Sequence, residues 1–316
     1  MALVTKVKIR AMAIAQLTGI LMPVPALSAQ VATSSAGVPV HMVVTVEPRH
    51  GKDVPLIHRE DVKVYQGHDR ALVKDWLALR GDHAGLELFL LLDDGSDTSL
   101  GSQLEDFRKF INAQPATTAI AVGYMRNGTV DVAQNFTTDH ALAAKALRLP
   151  LGSPGVSASP YFSLVDLIKR WPAGAARHEV LMVSDGIDRF YGGGPSDPYV
   201  DSAIEQAQRA GVLVYTIYAA AVGHFGHSLW RLNWGQNNLA RLADQTGGEA
   251  YFQGFQTPIA FAPYLEDLTN RLNHQYVLTF LAKAGKKAGF QRVKLETEVP
   301  NAELVAAEQV FVRAGR

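Results

Sequence analysis

An almost unbroken apolar run, Leu86-Glu87-Leu88-Phe89-Leu90-Leu91-Leu92, sets the strongest limit on how this chain can fold. A run without polar alternation fits a strand covered on both faces, and such strands belong to sheets with helices on either side. A second run, Val180-Leu181-Met182-Val183, repeats the pattern later in the chain. Both empty into carboxylates and hydroxyls: Asp94-Gly95-Ser96-Asp97-Thr98 after the first, Ser184-Asp185-Gly186 after the second. Oxygen groups at the carboxyl edge of a sheet stand where open α/β folds place their sites. Oxygen-only ligation suits Mg²⁺, Mn²⁺ or Ca²⁺ rather than zinc or copper.

From Leu86 onward, strand and helix patterns alternate. Strands are expected over 86–92, 118–125, 179–184, 212–218 and 250–252, with 129–135 an antiparallel partner of 118–125 across Arg126-Asn127-Gly128. Helices are expected over 102–112, 139–147, 160–171, 199–210, 236–245 and 262–272. This alternation predicts an α/β fold, a Rossmann-like, doubly wound and mostly parallel sheet. Short strand patterns flank it, over 41–47, 60–66 and 72–79 before and 274–282, 291–299 and 306–312 after. Neither flank can bury a face alone, so 273–316 is expected to pair with 30–83 as a small β-sandwich-like domain. The α/β domain, 84–272, would then be inserted within it.

Residues 1–29 read as a secretory signal peptide. Lys6, Lys8 and Arg10 precede an apolar stretch from Ala11 to Leu21, and a small-residue exit ends at Ala29. The stretch is short of the ~20 residues that a bilayer span needs, and no later segment is long and apolar enough to cross a bilayer. The first 29 residues hold three basic side chains and no acid, leaving 27 basic against 30 acidic residues. That balance gives no footprint for nucleic acid. The chain has no cysteine, which excludes disulfides and thiolate metal sites. A periplasmic or secreted bacterial protein is the expectation.

The order of these pieces resembles the von Willebrand factor type A family, in the form found in exported bacterial proteins with flanking β segments. The family's metal-ion-dependent adhesion site reads Asp-x-Ser-x-Ser, then a Thr from a later loop, then an Asp after a central strand. Asp94, Ser96 and Thr98 match the first element when the register is set by the distance to the helix near Leu104. Asp185 matches the third. The loop that should carry the Thr reads Gly155-Val156-Ser157-Ala158-Ser159-Pro160, so Ser159 would serve, with Ser157 as fallback. The close, Leu239 to Phe252, resembles the family's final helix and strand. The resemblance thus implies a Mg²⁺ or Mn²⁺ site, or one for Ca²⁺, held by Asp94, Ser96, Thr98, Ser159 and Asp185. Asp93 and Asp97 add carboxylates beside the motif. They would strengthen ion capture and weaken the pull on a partner's acidic residue.

Tyr191, His224, Trp230 and Trp234 follow strands onto the same edge and would form a recognition rim. These residues point to an exported, non-enzymatic binding module for a protein or peptide partner, one that offers an acidic residue to the ion. Two alternatives stand beside it. One is a structural envelope protein with a vestigial site. The other is a haloacid-dehalogenase-like Mg²⁺-dependent phosphohydrolase, which would need Asp-x-Asp where Asp94-Gly95-Ser96 stands.

Overall fold

Alternation of side chains along β4 (Leu86–Asp93) decides the layering. Leu88, Leu90 and Leu92 share one core with Phe107 of α1 (Leu104–Asn112), Ala143 of α2 (His140–Lys145) and Leu265 of α6 (Ala262–Asn273). Phe89 and Leu91 belong to a second core. It holds Leu164 of α3 (Pro160–Arg170), Val200 of α4 (Pro198–Ala210) and Leu239 of α5 (Leu229–Thr246). Burial on both faces is why this strand carries so little polar alternation. The computed structural model that gives this architecture describes residues 37–153, 155, 158–172, 174, 176–192, 194, 196–222, 228–252 and 260–315. The expected signal peptide, Ser157 and His224 lie outside the described residues.

The six-stranded sheet has the order β6-β5-β4-β7-β8-β9. Its other members are β5 (Thr118–Arg126), β6 (Thr129–Thr137), β7 (Arg177–Ser184), β8 (Val212–Tyr218) and β9 (Ala250–Tyr251). All ladders are parallel except β5 with β6. This is the doubly wound α/β class expected from the sequence. Loops after β4, β5, β7 and β8 therefore emerge on one edge.

A second, antiparallel sheet has seven strands in the order β12-β1-β10-β3-β2-β11-β13. It interleaves β1 (Val38–Pro48), β2 (Lys63–Gln66) and β3 (Asp69–Ala78) with β10 (Gln275–Ala282), β11 (Gly289–Glu296), β12 (Ala302–Ala306) and β13 (Gln309–Val312). Strands from both ends of the chain thus share one core, in which Trp76 stacks on Tyr276 with centroids 4.4 Å apart.

Three elements depart from the sequence reading. A 3-10 segment over Thr98–Gln103 precedes α1, capped by Asp97, whose side chain accepts from Ser99 N at 2.8 Å. The strand expected over 306–312 is confined to β13, Gln309–Val312, and a separate strand, β12, ends at Ala306. Most consequential, α5 begins at Leu229 and not at Gln236, so Trp230 and Trp234 sit on a helix and not in a loop. Gly235, which lowers helix propensity, lies inside it because its backbone packs directly on the Asp185–Gly186 loop.

Candidate functional site

The alternation that layers the sheet also separates the two adjacent carboxylates at the end of β4. Asp93 continues the Phe89 and Leu91 side. Its Oδ2 accepts from Ser184 Oγ at 2.8 Å, across the ladder at the end of β7, and its Oδ1 accepts from Gly95 N at 2.7 Å. Asp94 lies with the other face. Arg148, in the loop after α2, donates to both of its oxygens, Nη1 to Oδ1 at 2.6 Å and Nη2 to Oδ2 at 2.9 Å. The same guanidinium lies 3.6 Å from the ring centroid of Tyr124 on β5. The Asp94 side chain is 1% exposed and that of Arg148 36%, so this pair is a part-buried bidentate bridge. Its hydrogen bonds hold Arg148 more firmly protonated than a free guanidinium.

Asp185 is paired as closely. Arg189 Nη2 lies 2.6 Å from its Oδ2 and Nη1 3.4 Å from its Oδ1, while Ile187 N donates to Oδ1 at 3.1 Å. Arg189 N in turn donates to Ala158 O at 2.9 Å, which ties this loop to the one before α3. Ser159 caps α3 by accepting from Phe162 N at 3.2 Å, and its hydroxyl donates to Asp188 Oδ2 at 2.5 Å. The other Asp188 oxygen accepts from Tyr191 N at 2.8 Å. Burial, together with the nearby Asp185 charge, lifts the Asp93 carboxyl to about 6, against the pull of Arg189, the Gly95 amide and Ser184.

The five residues expected to cage an ion are therefore not brought together as one set. Asp93, not Asp94, meets Ser184 and Asp185. Thr98 is exposed at the start of the 3-10 segment. Ser96 is buried, and its hydroxyl has no hydrogen-bond partner among the described residues. Ser159 and Asp185 do share a loop cluster, but each is bonded within the protein. The cleft between Asp93, Ser159 and Arg189 measures about 10 Å³. That is at the lower limit for one water molecule, and Mg²⁺ keeps several. Among the described residues, no three Asp, Glu or His side chains are grouped so that they could hold a metal ion.

The sequence reading gives Asp93 only as an added carboxylate beside the motif, without its pairing to Ser184, and does not single out Arg148 or Arg189. Aligning the ends of the two strands, Leu92-Asp93 with Val183-Ser184, would have found that pairing. Arg189, four residues after Asp185, was within sight; Arg148, contributed by a distant loop, was not.

Around these bridges lies an apolar rim. Phe190 and Tyr191 are about half exposed, Trp230 is 74% exposed, and Leu149, Leu151 and Leu229 are exposed as well. Phe162, Phe190, Tyr191 and Tyr199 form an aromatic cluster over the starts of α3 and α4, Phe190 and Tyr199 having centroids 5.9 Å apart. Trp234 is half-buried on α5.

No family model matches the sequence, and no curated protein matches it. Among solved structures, the chain is similar to an aerotolerance-related membrane protein from Bacteroides fragilis. Identity is 12% and the TM-score 0.42, over 60% of this chain and 99% of that one. It is similar to BatB from Bacteroides thetaiotaomicron at 10% identity and TM-score 0.42, over 60% and 97%. A von Willebrand factor type A protein from Catenulispora acidiphila is similar at 10% identity and TM-score 0.42, over 88% and 74%.

Proposed function

We propose that this chain is an exported, non-enzymatic binding module that takes a protein or peptide partner on the carboxyl edge of its six-stranded sheet. The observation that carries the reading is the exposed apolar and aromatic rim, gathered from the loops after α2 and β7 and from the start of α5. Aromatic side chains with low conformational entropy suit a recognition surface. Arg126 is exposed at the end of β5, so an acidic residue of the partner is the matching charge. The carboxylates beneath are compensated internally, and the recognition proposed here involves no divalent ion. A phosphohydrolase would use Asp93 or Asp94 as its nucleophile; Asp94 is held in its arginine pair, and Asp93 accepts from Ser184 Oγ and Gly95 N. Among the described residues no helix is long and apolar enough to cross a membrane.

The test is retention by the immobilised full chain of proteins from its source cells, with EDTA present throughout. Trp230→Asp and Phe190→Asp are expected to abolish retention of a partner that the unaltered chain holds. Leu72→Asp, at an exposed position on the antiparallel sheet, is expected to leave it intact. Loss with Leu72→Asp alone would move the binding face to the other sheet. Retention unchanged by all three would favour the structural-spacer reading.

A further inference from the structure

We infer that the guanidinium of Arg189 is the resident cation of this sheet edge, occupying by covalent attachment the role that a divalent ion would play. Three carboxylates converge on the loop cluster: Asp93 from β4, and Asp185 and Asp188 from the segment after β7. Their side chains are all buried. Buried carboxylates need a compensating charge or a full set of hydrogen bonds. Here both are supplied from within the protein.

Every one of the six carboxylate oxygens accepts from a protein donor. Gly95 N and Ser184 Oγ serve Asp93; Arg189, with Ile187 N, serves Asp185; Ser159 Oγ and Tyr191 N serve Asp188. Arg189 is the cation of the group. Its side chain is 12% exposed, and Asp185, Asp93 and Asp188 all act on it electrostatically. The backbone fixes it in place, since Arg189 N donates to Ala158 O and its Nη1 donates to Ile187 O at 3.3 Å. A planar guanidinium presents five donors in a fixed fork and matches carboxylates without the costly dehydration that Mg²⁺ requires. The roughly one-water cleft beside it leaves no place for a hydrated ion.

A built-in cation has two consequences. The edge keeps its geometry whatever the concentration of divalent ions, and its charge cannot be stripped by a chelator. The loops before α3 and after β7 are also locked to each other through one side chain. Removing that side chain would leave three buried carboxylates and the Ser159 hydroxyl facing a vacated volume.

The experiment compares thermal unfolding and calorimetric titration of the full chain, Arg189→Ala and Arg189→Lys, in EDTA and with Mg²⁺, Mn²⁺ or Ca²⁺. The unaltered chain and Arg189→Lys are each expected to keep a Tm that no cation changes, that of Arg189→Lys being the lower, and to give no heat of binding. Arg189→Ala is expected to melt several degrees lower than the unaltered chain in every condition, because it leaves buried carboxylates without their counter-charge. Saturable binding of any of these ions by the unaltered chain, with a rise in Tm, would overturn the inference whether or not the variants fold. So would a folded Arg189→Ala that melts at the same temperature as the unaltered chain. No partner takes part in these measurements, so their outcome is separate from that of the retention test.

Discussion

Gly235 of α5 lies so close to Asp185 that a methyl group on its α-carbon would sit 2.0 Å from the Asp185 carbonyl oxygen. The contact is mutual in kind, since Gly186, at φ +70°, would place a methyl 2.4 Å from the Gly235 carbonyl. Two glycines thus let helix and loop backbones touch, and this contact helps fix where Asp185 stands. Gly235→Ala should gain about 1 kcal/mol of helix propensity and lose more through overpacking. A net loss of roughly 2 kcal/mol is expected, seen as a lower midpoint in urea. A variant as stable as the parent would mean that α5 can move away from the loop at little cost.

The Asp94–Arg148 bridge makes a second prediction. Removing Arg148 leaves a carboxylate that is 1% exposed without its counter-charge. Breaking a buried pair from one side costs about 3–5 kcal/mol, and the partial exposure of Arg148 places the expectation near the low end. Arg148→Met should therefore lose about 3 kcal/mol. The double variant Asp94→Asn with Arg148→Met should recover much of that loss, and a denaturation cycle over the four proteins measures it. Strict additivity of the two single losses would show that the pair does not act as a pair.

The fold class was legible because both faces of β4 are covered, which forces the continuous run Leu86–Leu92 into view. The site was legible as a place but not as a set of contacts. The difference between Asp93 and Asp94 is one step of strand alternation, and a one-residue shift sends a side chain to the opposite face. Counting back from the helix near Leu104 chose Asp94. The Thr98–Gln103 3-10 turn lies in that interval, and its different rise per residue makes the count an unsafe ruler. The ladder offers a better one: Leu92 pairs with Val183, which leaves Asp93 beside Ser184. The start of α5 was missed because Gly235 and the two tryptophans resemble loop composition. Its tertiary contact with Asp185 is what places a glycine inside a helix. Arg148 could not be assigned to Asp94 from sequence, because the two are joined only by the packing of α2 against the sheet.

Away from the site, Arg271 of α6 gathers carboxylates from several elements. It bonds Glu47 of β1, and its Nη2 and Nε lie 2.8 Å from Glu249 Oε2 and 2.7 Å from Asp267 Oδ2. Burial lifts the Glu47 carboxyl from an ordinary 4.5 to about 7; Arg271 opposes the lift, and Glu249, Asp267 and Glu303 add to it. Between those values the folded chain holds a proton that the unfolded chain has released. The contribution is thus fully present below about pH 4.5 and is lost as pH rises through about 7. Urea denaturation at about pH 5 and about pH 8 should show the parent losing on the order of 2 kcal/mol more than Glu47→Gln, after allowance for solvent screening. Parallel pH profiles for the two proteins would rule this out.

Ser159 links helix capping to the carboxylate cluster, because one hydroxyl accepts from Phe162 N and donates to Asp188. Ser159→Ala removes both bonds and leaves one Asp188 oxygen without its donor in a buried setting. Loss of an N-cap costs about 1 kcal/mol, and a buried acceptor left unpaired adds about as much or more. The expected loss is therefore about 2–3 kcal/mol. Ser159→Thr keeps the hydroxyl and should stay within about 1 kcal/mol of the parent, since Thr caps helices nearly as well. Chemical denaturation of the two variants distinguishes this from a simple volume effect. If the hydroxyl were idle, Ala would be tolerated at least as well as the bulkier Thr.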